Sequence, residues 1–258
     1  AAGHHVLLHG RNASKLETIQ AELRVLSGNA ESVDSYQADL SDLSQVEQMA
    51  QSILQDHDKI DILLNNAGVF KSSVDTVDVG KGLKIDQRLV VNTIAPYLLT
   101  KRLLPIVKGR IVNLSSAAQA PVNIGCLTGG FQGGATRALS QSEAYAQSKL
   151  GILQWTTALA ADLQEANKHV VAVSVNPASL IGTKMVQEGY GIAGKPLSIG
   201  ADILETAALS KQFARASGKY FDNDSGAFAP PHPDAASPKR NKEIQEALDG
   251  LLEHLGYA

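Results

Sequence analysis

The feature that most constrains the fold is the alternation of short apolar segments with longer segments of helical periodicity, from residue 6 to about residue 176. Residues 6–8 are apolar and predict a strand. In residues 15–27 the large apolar side chains recur at spacings of three and four, which predicts an amphipathic helix. Repeated strand–helix units of this kind are typical of a parallel sheet that helices cover on both faces. We therefore expect a doubly wound α/β fold.

Further strand and helix patterns continue this order along the chain. After Pro177 the periodicity fades, and residues 218–240 are rich in Gly, Pro, Asp and Ser, which predicts irregular surface chain. A last short helix is expected at 241–254. The sequence thus predicts a single domain over residues 1–258, in which 218–258 form an irregular C-terminal extension. The other predicted strands are 32–38, 60–64, 110–114 and 170–175, and the other predicted helices are one that follows Asp39 and those at 83–104 and 142–166.

The composition narrows the class of function. A chain of 258 residues, of which 44% are hydrophobic, can bury the core of one large α/β domain. Its net charge of -3 provides no basic surface for nucleic acid or anionic lipid, and its single cysteine, Cys126, forms no internal disulfide. It has neither a membrane-spanning apolar segment nor a signal-peptide pattern. These properties favour a soluble cytoplasmic protein that acts on a small molecule and needs no metal.

Tyr145 and Lys149 form the most informative pair of titratable residues. They are four residues apart in the predicted helix 142–166, and this spacing brings two side chains onto one helix face. A free phenol has a pKa of about 10, and a neighbouring ammonium group favours the phenolate. We therefore expect Lys149 to lower the pKa of Tyr145, so that Tyr145 acts as a general acid or base near neutral pH. Taken alone, the pair also fits an aromatic residue on a helix surface with a solvated lysine beside it.

Polar residues follow two of the predicted strands. Ser115 and Ser116 come directly after strand 110–114, and an Asn-Asn-Ala-Gly sequence at 65–68 follows the strand before it. The carboxyl ends of parallel strands lie at one edge of a sheet, where open α/β folds bind their ligands. Asn92 adds a polar side chain inside an otherwise apolar helix pattern. The sequence therefore predicts a ligand site at this sheet edge.

The order of these motifs resembles a known family. From residue 1 to about residue 185 the chain is similar to the short-chain dehydrogenase/reductase family, and the Gly-Lys-Tyr-Phe sequence at 218–221 resembles its retinol-dehydrogenase-like branch. The resemblance implies a Rossmann-like fold and a nicotinamide-dependent oxidoreductase that interconverts an alcohol and a ketone or aldehyde. It also implies a homodimer or homotetramer that forms through helices 83–104 and 142–166.

Four residues of the chain match the family's catalytic positions. By this resemblance Tyr145 exchanges a proton with the substrate, and Ser116 holds the substrate oxygen. Lys149 binds the nicotinamide ribose, and Asn92 holds a water molecule that connects to Lys149. Ser116 is preferred to Ser115 because the family has its catalytic serine second in such a pair. An ordinary serine turn at a strand end is the alternative.

Arg11 indicates which nicotinamide cofactor is used. It follows the first predicted strand of the chain, at a point where a carboxylate would bind a free ribose 2′-hydroxyl and an arginine accommodates a 2′-phosphate. No carboxylate stands in residues 9–12, so NADP is expected rather than NAD. The alternative is that Arg11 is only a solvated turn residue.

The resemblance adds cofactor contacts on both sides of the site. Asp39 matches the family's adenine-edge residue, although it also fits a helix cap. On the nicotinamide side, either Leu180 or Ile181 offers its backbone to the carboxamide. The expected cofactor-binding residues, besides Tyr145 and Lys149, are Arg11, Asp39, Leu40, Asn66, Ala67, Gly68, Pro177, Leu180 and Thr183.

The beginning of the chain departs from the family's pattern. No first strand and no glycine-rich phosphate loop precede residue 6, and Ala1-Ala2-Gly3 fits the end of the helix that should follow that loop. One strand–helix unit of about 30 residues is thus expected to be missing from an N-terminally truncated chain. This departure motivates the alternative function, a catalytically silent dinucleotide-binding or regulatory protein.

The segment between Ser116 and Tyr145 is longer than in the family's compact members. It contains a glycine-rich stretch at 128–134, which no convincing strand precedes and which therefore does not fit a phosphate loop. We interpret this stretch as a flexible substrate-side loop, and we expect residues 119–140 and 184–197 to flank the substrate.

Pro96 stands four residues after Asn92 in the predicted helix 83–104. Proline has no N–H to donate to the carbonyl four residues earlier, so the helix is expected to bend there. The released carbonyl of Asn92 then needs a partner, and we expect a water molecule that joins Lys149 and Tyr145 in a proton path. A simple packing kink is the alternative.

Overall fold

The computed structural model describes residues 3–257, so Ala1 and Ala2 of the expected helix end lie outside the described residues. Its strands are β1 (Val6–Gly10), β2 (Val33–Gln37), β3 (Ile60–Asn65), β4 (Thr76–Gly80), β5 (Leu83–Asp86), β6 (Val107–Leu114), β7 (Val171–Asn176), β8 (Tyr220–Asp222) and β9 (Ala227–Ala229). Its α-helices are α1 (Ala13–Ser27), α2 (Leu43–Asp56), α3 (Gln87–Leu89), α4 (Ala95–Leu103), α5 (Ile124–Leu127), α6 (Gln141–Glu165), α7 (Lys184–Tyr190), α8 (Leu197–Leu209) and α9 (Pro238–Leu255). Short 3₁₀ segments lie at Ala30–Ser32, Lys211–Phe213 and Pro233–Ala236.

Capping residues determine where the main helices begin and end. Asn12 precedes α1, and its side chain accepts a hydrogen bond from the backbone N–H of Lys15. Ser140 precedes α6 and accepts in the same way from the N–H of Glu143 at 3.2 Å. These bonds satisfy N–H groups that have no partner within their helix. Gly28 ends α1 with a φ of 67°, a left-handed conformation that glycine adopts without strain.

A mostly parallel sheet forms the centre of the fold. Strands β3, β6, β7 and β8 are parallel in the order β3-β6-β7-β8, and β9 adds an antiparallel edge. Strands β1 and β2 form a separate parallel pair, and no backbone ladder joins β1 to β3 within residues 3–257. The single α/β domain with a mostly parallel sheet, which the sequence predicts, is therefore confirmed.

Apolar side chains of the central strands alternate between the two faces of this sheet. Ile111 of β6 packs in the larger buried cluster, with residues of α2, α4, α6 and α9. Its neighbour Val112 packs in a second cluster, with Ile203 and Ala207 of α8. Helices thus cover both faces of the sheet, as a doubly wound fold requires.

The C-terminal region differs from the sequence-based expectation. Residues 218–258, expected to form an irregular extension, contain β8, which pairs in parallel with β7, and α9, which is 18 residues long. Ile244, Leu248 and Leu251 of α9 are fully buried in the larger cluster. The helix expected at 241–254 is confirmed as α9. The expectation of an irregular extension is wrong, because the composition of 218–240 reflects local turn preferences, whereas pairing with β7 decides the structure.

The predicted helix 83–104 is shorter and less regular than expected. Leu83–Asp86 form strand β5, which pairs with β4 in an antiparallel hairpin. The helical chain begins at Gln87 and passes through a π-helical segment at Val90–Ile94 before α4. This segment ends two residues before Pro96, so a departure from α-helical geometry, of the kind that bends helices, is present where the proline predicts it.

Helix α9 packs along α6 and contacts α4 through Asp249; α4 and α6 are the two helices through which the resemblance implies an oligomer. The hydroxyl of Tyr97 donates to Asp249 of α9 at 2.6 Å, and Nε2 of Gln245 donates to Asp162 of α6 at 2.7 Å. Apolar residues of all three helices share one buried cluster. An oligomer that forms through α4 and α6 would therefore have α9 near its interface.

We expect Leu248→Ala to lower the free energy of unfolding by about 2–5 kcal/mol, because the substitution leaves a cavity beneath α9. Leu248 is 0% exposed, so its whole side chain contributes to the core. Urea unfolding at equilibrium measures the change. Val25→Ala on α1 is the control, since Val25 is 80% exposed and surface substitutions change stability by only about 0.5 kcal/mol or less. Equal effects of the two substitutions would contradict the burial of α9.

Candidate active site

A cavity of about 900 Å³ opens at the carboxyl ends of β1, β2, β3, β6 and β7. The ends of these strands and the loops that follow them supply most of its lining, as expected for the ligand-binding edge of an open α/β sheet. The fold thus brings together residues that are far apart in the sequence. Every predicted site residue except Asn92 lines the cavity, namely Arg11, Asp39, Leu40, Asn66, Ala67, Gly68, Ser116, Tyr145, Lys149, Pro177, Leu180 and Thr183.

Ser116 and Tyr145 both line this cavity, and the side chain of Ser116 lies near enough to Tyr145 to favour the phenolate form of that residue. Ser115 is 2% exposed, and its hydroxyl donates to the main-chain carbonyl of Lys149 at 2.7 Å, so it joins β6 to α6. The main-chain carbonyl of Ser116 accepts a hydrogen bond from the hydroxyl of Tyr220 on β8 at 3.2 Å. The geometry therefore leaves Ser116, rather than Ser115, in contact with Tyr145.

The pKa of Tyr145 is raised, whereas the sequence analysis expects it to be lowered. Burial is the largest cause, because it disfavours the phenolate, and the nearby side chain of Ser116 offsets only part of this effect. Nζ of Lys149 lies 5.7 Å from the centroid of the tyrosine ring and makes its hydrogen bond elsewhere. The expectation that Lys149 lowers this pKa is therefore wrong.

Lys149 is buried, and its ammonium group donates to the main-chain carbonyl of Leu114 at 2.8 Å, at the end of β6. Burial disfavours the charged form and lowers the pKa of Lys149 to about 8. Gly68 keeps space open beside this group, because a Cβ there would lie 3.5 Å from Lys149 Nζ and 3.3 Å from Asn92 Oδ1. An ammonium group has three donors, so Lys149 can also donate to a polar ligand that enters beside Gly68.

Asn92 lies behind the cavity wall and holds the loop that follows β3. Its Nδ2 donates to the carbonyl of Val69 at 2.9 Å, and its Oδ1 accepts from the N–H of the same residue at 2.8 Å. Nδ2 also donates to Ser148 Oγ at 2.9 Å, on the helix that carries Tyr145. Asn92 is 1% exposed and belongs to the π-helical segment. Its side chain therefore positions the β3 loop against α6.

The Arg11 end of the cavity carries a second cation that the sequence analysis missed. Lys15 lies in the first turn of α1, four residues after Arg11, and both residues line the cavity. Two cations beside a helix N-terminus favour an anion, so their spacing is the signal that could have identified Lys15. Asp39 also lines the cavity, while its carboxylate accepts from the N–H and hydroxyl of Ser41. The cap of α2 is Asp42, not Asp39.

Phe70 and Tyr190 extend the cavity wall beyond Tyr145. The ring centroid of Phe70 is 5.0 Å from that of Tyr145 and 5.6 Å from that of Tyr190, which lies on α7. Gly189 permits this packing, because a Cβ there would lie 2.8 Å from Phe70 Cδ1. The sequence did not indicate Phe70, and it indicated Tyr190 only as part of residues 184–197. No local pattern shows that α7 packs against the loop after β3.

Of the two segments expected to flank the substrate, one lines the cavity and the other does not. Residues 184–197 contribute part of α7 and the beginning of α8 to the cavity lining. The expectation for residues 119–140 is wrong, since none of them lines the cavity. Phe131, in the glycine-rich stretch, instead stacks on His254 of α9 with ring centroids 3.8 Å apart. This segment therefore packs against the C-terminal helix.

In the part of the chain that the structure describes, no group of three or more His, Cys, Asp and Glu side chains could hold a metal ion. None of the helices in residues 3–257 has the length and apolar character needed to span a bilayer.

A parallel sheet with an adjacent serine and tyrosine and a buried lysine at its carboxyl edge is the arrangement of a nicotinamide-dependent dehydrogenase. Residues 1–190 match the sequence profile of the family described as short chain dehydrogenase. The chain therefore belongs to the short-chain dehydrogenase family and is an NAD(P)-dependent oxidoreductase.

Relatives of known sequence or structure agree with this assignment. Retinol dehydrogenase 13 of Homo sapiens is 28% identical over 236 residues, which are 85% of this chain and 69% of that protein. Short-chain dehydrogenase TIC 32 A, chloroplastic, of Brassica napus is 29% identical over 237 residues, which are 85% of this chain and 72% of that protein. An uncharacterised protein from Mycobacterium paratuberculosis has a similar structure, with a TM-score of 0.74 and 23% identity over 96% of this chain and 84% of that one. A short-chain dehydrogenase from Burkholderia cenocepacia, in complex with NADP, has a TM-score of 0.60 and 22% identity over 84% of each chain.

Lys149→Met tests the buried charge. The folded pKa of Lys149 is about 8 and its ordinary value is 10.5, so between these pH values the unfolded chain binds more protons than the folded chain. The free energy of unfolding of the wild type should then rise over this interval by up to about 3 kcal/mol relative to the variant. Urea unfolding of both proteins at several pH values measures the difference. Lys211→Met, at an exposed lysine, should follow the wild type, and parallel curves for Lys149→Met would contradict the lowered pKa.

Proposed function

We propose that this chain is an NADP-dependent oxidoreductase that interconverts an alcohol and a ketone or aldehyde, with Tyr145 as the general acid and base. The observation that carries the proposal is that Ser116 and Tyr145 lie next to each other at the cavity, with the buried Lys149 beside the tyrosine ring. A hydroxyl donor, a phenol and an ammonium group are suited to stabilise a substrate oxygen and to transfer a proton to it.

The cavity residues fit a nicotinamide dinucleotide phosphate. At one end Arg11 and Lys15 offer two cations beside the start of α1, which suits a ribose 2′-phosphate. Elsewhere in the cavity, Gly68 leaves space beside Lys149 Nζ, where a ribose hydroxyl can accept a hydrogen bond. The NADP held by the related Burkholderia cenocepacia protein supports the same choice of cofactor.

When bound, the reduced cofactor supplies a hydride to the carbon of a substrate carbonyl. Tyr145 supplies the proton that the carbonyl oxygen gains, and its raised pKa keeps the phenol protonated at neutral pH. Ser116 donates a hydrogen bond to the same oxygen and so holds it near the tyrosine. Lys149, whose ammonium group is held at the end of β6, would donate a hydrogen bond to the nicotinamide ribose.

A water molecule on the main-chain carbonyl of Asn92 is part of the same proposal. Pro96 has no N–H to donate to this carbonyl, and the π-helical segment Val90–Ile94 widens the backbone there. A water bound at this point would return a proton through Lys149 to Tyr145 after each turnover.

The proposal extends to assembly and location. We propose a homodimer or homotetramer that acts in the cytoplasm on a small-molecule substrate, without a nucleic-acid or membrane partner. In such an assembly α9 would lie near the interface, because it packs along α6 and contacts α4 through Asp249.

Tyr145→Phe removes only the phenolic oxygen. We expect kcat for NADPH-dependent reduction of a carbonyl compound to fall by about 10²–10⁴, the usual contribution of a general acid, with little change in NADPH affinity. Loss of NADPH absorbance follows turnover, and NADPH fluorescence follows binding. Tyr190→Phe is the matched control, because this tyrosine lines the same cavity and has no assigned proton role. Wild-type turnover in Tyr145→Phe would refute the assignment, and NADPH binding without turnover of any substrate by the wild type would favour the catalytically silent protein.

Combined Arg11→Ala and Lys15→Ala substitutions test the preference for NADP. We expect the KM for NADPH to rise by at least about tenfold, which corresponds to about 1.4 kcal/mol, because two cations facing the 2′-phosphate are lost. The KM for NADH, which lacks this phosphate, should stay unchanged. Lys211→Ala is the control, since Lys211 does not line the cavity. Equal effects on NADPH and NADH would contradict a 2′-phosphate site at Arg11.

A further inference from the structure

The turn between β8 and β9 holds the loop that follows β7. Asp224, in this turn, accepts hydrogen bonds from the N–H of Ser179 at 2.9 Å and from the hydroxyl of Ser179 at 2.5 Å. The same carboxylate accepts from Asn176 Nδ2 at 3.0 Å and from Lys195 Nζ at 3.2 Å. One carboxylate thus connects the end of β7, the loop that follows it and the segment before α8.

The two residues before Asp224 add to this attachment. Asn223 Nδ2 donates to the carbonyl of Pro177 at 3.0 Å. Asp222 accepts from Asn176 Nδ2 at 2.7 Å. Three consecutive residues at the end of β8 and in the turn therefore hold the first part of the loop.

The loop needs such support because its backbone is strained. Ala178 has a φ of 117° and Leu180 has a φ of 58°, values that residues with a Cβ rarely adopt. Conformations of this kind cost about 1–3 kcal/mol each and persist only where surrounding contacts hold them. Ala178 and Leu180 flank Ser179, whose N–H and hydroxyl both bond to Asp224. The carboxylate therefore acts at the centre of the strained segment.

Asp224 is charged over the whole physiological pH range. Burial by itself raises its pKa, but hydrogen bonds from Ser179, Asn176 and Lys195 outweigh this effect and lower the pKa to about 2. The ordinary value is 3.8, so the stability that these bonds contribute is complete above about pH 4 and is lost only as the pH falls towards 2. At neutral pH the carboxylate of Asp224 is therefore charged and can accept these hydrogen bonds.

We propose that Asp224 is a positioning residue, which keeps the loop after β7 in the conformation that binds the nicotinamide half of the cofactor. Pro177 and Leu180 of this loop line the cavity, whereas Asp224 does not and acts through Ser179. This role rests on the proposed function, which assigns the nicotinamide to this side of the cavity.

Nucleotide binding by the full chain distinguishes an effect at the nicotinamide half of the cofactor from an effect at the adenosine half. In Asp224→Ala we expect the dissociation constant of NADPH to rise by at least about tenfold, or about 1.4 kcal/mol, because the strained loop loses its acceptor. The dissociation constant of adenosine 2′,5′-bisphosphate, which has no nicotinamide, should stay unchanged. Asp224→Asn keeps one acceptor oxygen and should give an intermediate loss. Asp202→Asn, at an exposed carboxylate on α8, is the charge-matched control and should bind NADPH as the wild type does.

Two results of this titration would overturn the proposal. Unchanged NADPH binding in Asp224→Ala would show that the loop does not depend on the carboxylate. Equal loss of NADPH and of adenosine 2′,5′-bisphosphate would show a general disturbance of the fold instead of an effect at the nicotinamide end.

Hydrogen exchange in the nucleotide-free protein tests the same contact without the cofactor. The N–H of Ser179 is bonded to Asp224, so the amides of 178–183 should exchange faster in Asp224→Ala, while the amides of β6 keep their protection. Unchanged exchange at 178–183 would overturn the proposal. If the wild type bound no NADPH, the proposed function would fail, and the exchange result alone would decide whether Asp224 holds the loop.

Discussion

The burial of the Lys149 ammonium group is the constraint on which the rest of the site depends. A charged group away from water needs a hydrogen-bond partner, and Lys149 Nζ finds one in the carbonyl of Leu114 at the end of β6. In return, the main-chain carbonyl of Lys149 accepts from the hydroxyl of Ser115. The preceding residue, Ser148, accepts from Asn92 of the π-helical segment. Two adjacent residues of α6 therefore attach this helix to β6 and to the π-helical segment, and this attachment orients Tyr145 one turn earlier.

The same burial shifts the pKa values of Tyr145 and Lys149. It raises the pKa of Tyr145 and lowers that of Lys149 to about 8, because a buried environment disfavours the charged form of either group. A protonated phenol thus lies beside an ammonium group that loses its proton just above neutral pH. This combination suits a site in which Tyr145 donates a proton to a substrate oxygen and Lys149 donates a hydrogen bond to a polar ligand.

Particular elements show how far sequence reasoning reaches in this protein. The expected helices 15–27 and 142–166 agree with α1 and α6 to within two residues, because amphipathic periodicity and capping residues are local properties. Residues 83–86 were expected in a helix, yet they form β5, since their pairing with β4 has no local signal. Strand β8 was missed for a related reason: three residues with a polar, glycine-containing neighbourhood form a strand only because β7 lies beside them.

The sequence by itself determined which chemical groups the site contains and along which strands and helices they lie. Strand ends and helix spacing are local, so a serine could be assigned to a sheet edge, and Tyr145 and Lys149 to one helix face, in advance. The resemblance to the family joined Ser116, Tyr145 and Lys149 in one site, and the structure brings them to one cavity. Only the tertiary structure decided the direction of the pKa shift at Tyr145 and the attachment of the β7 loop to Asp224. Both depend on burial and on hydrogen bonds between residues that are distant in the sequence, and such contacts exist only once the chain has folded.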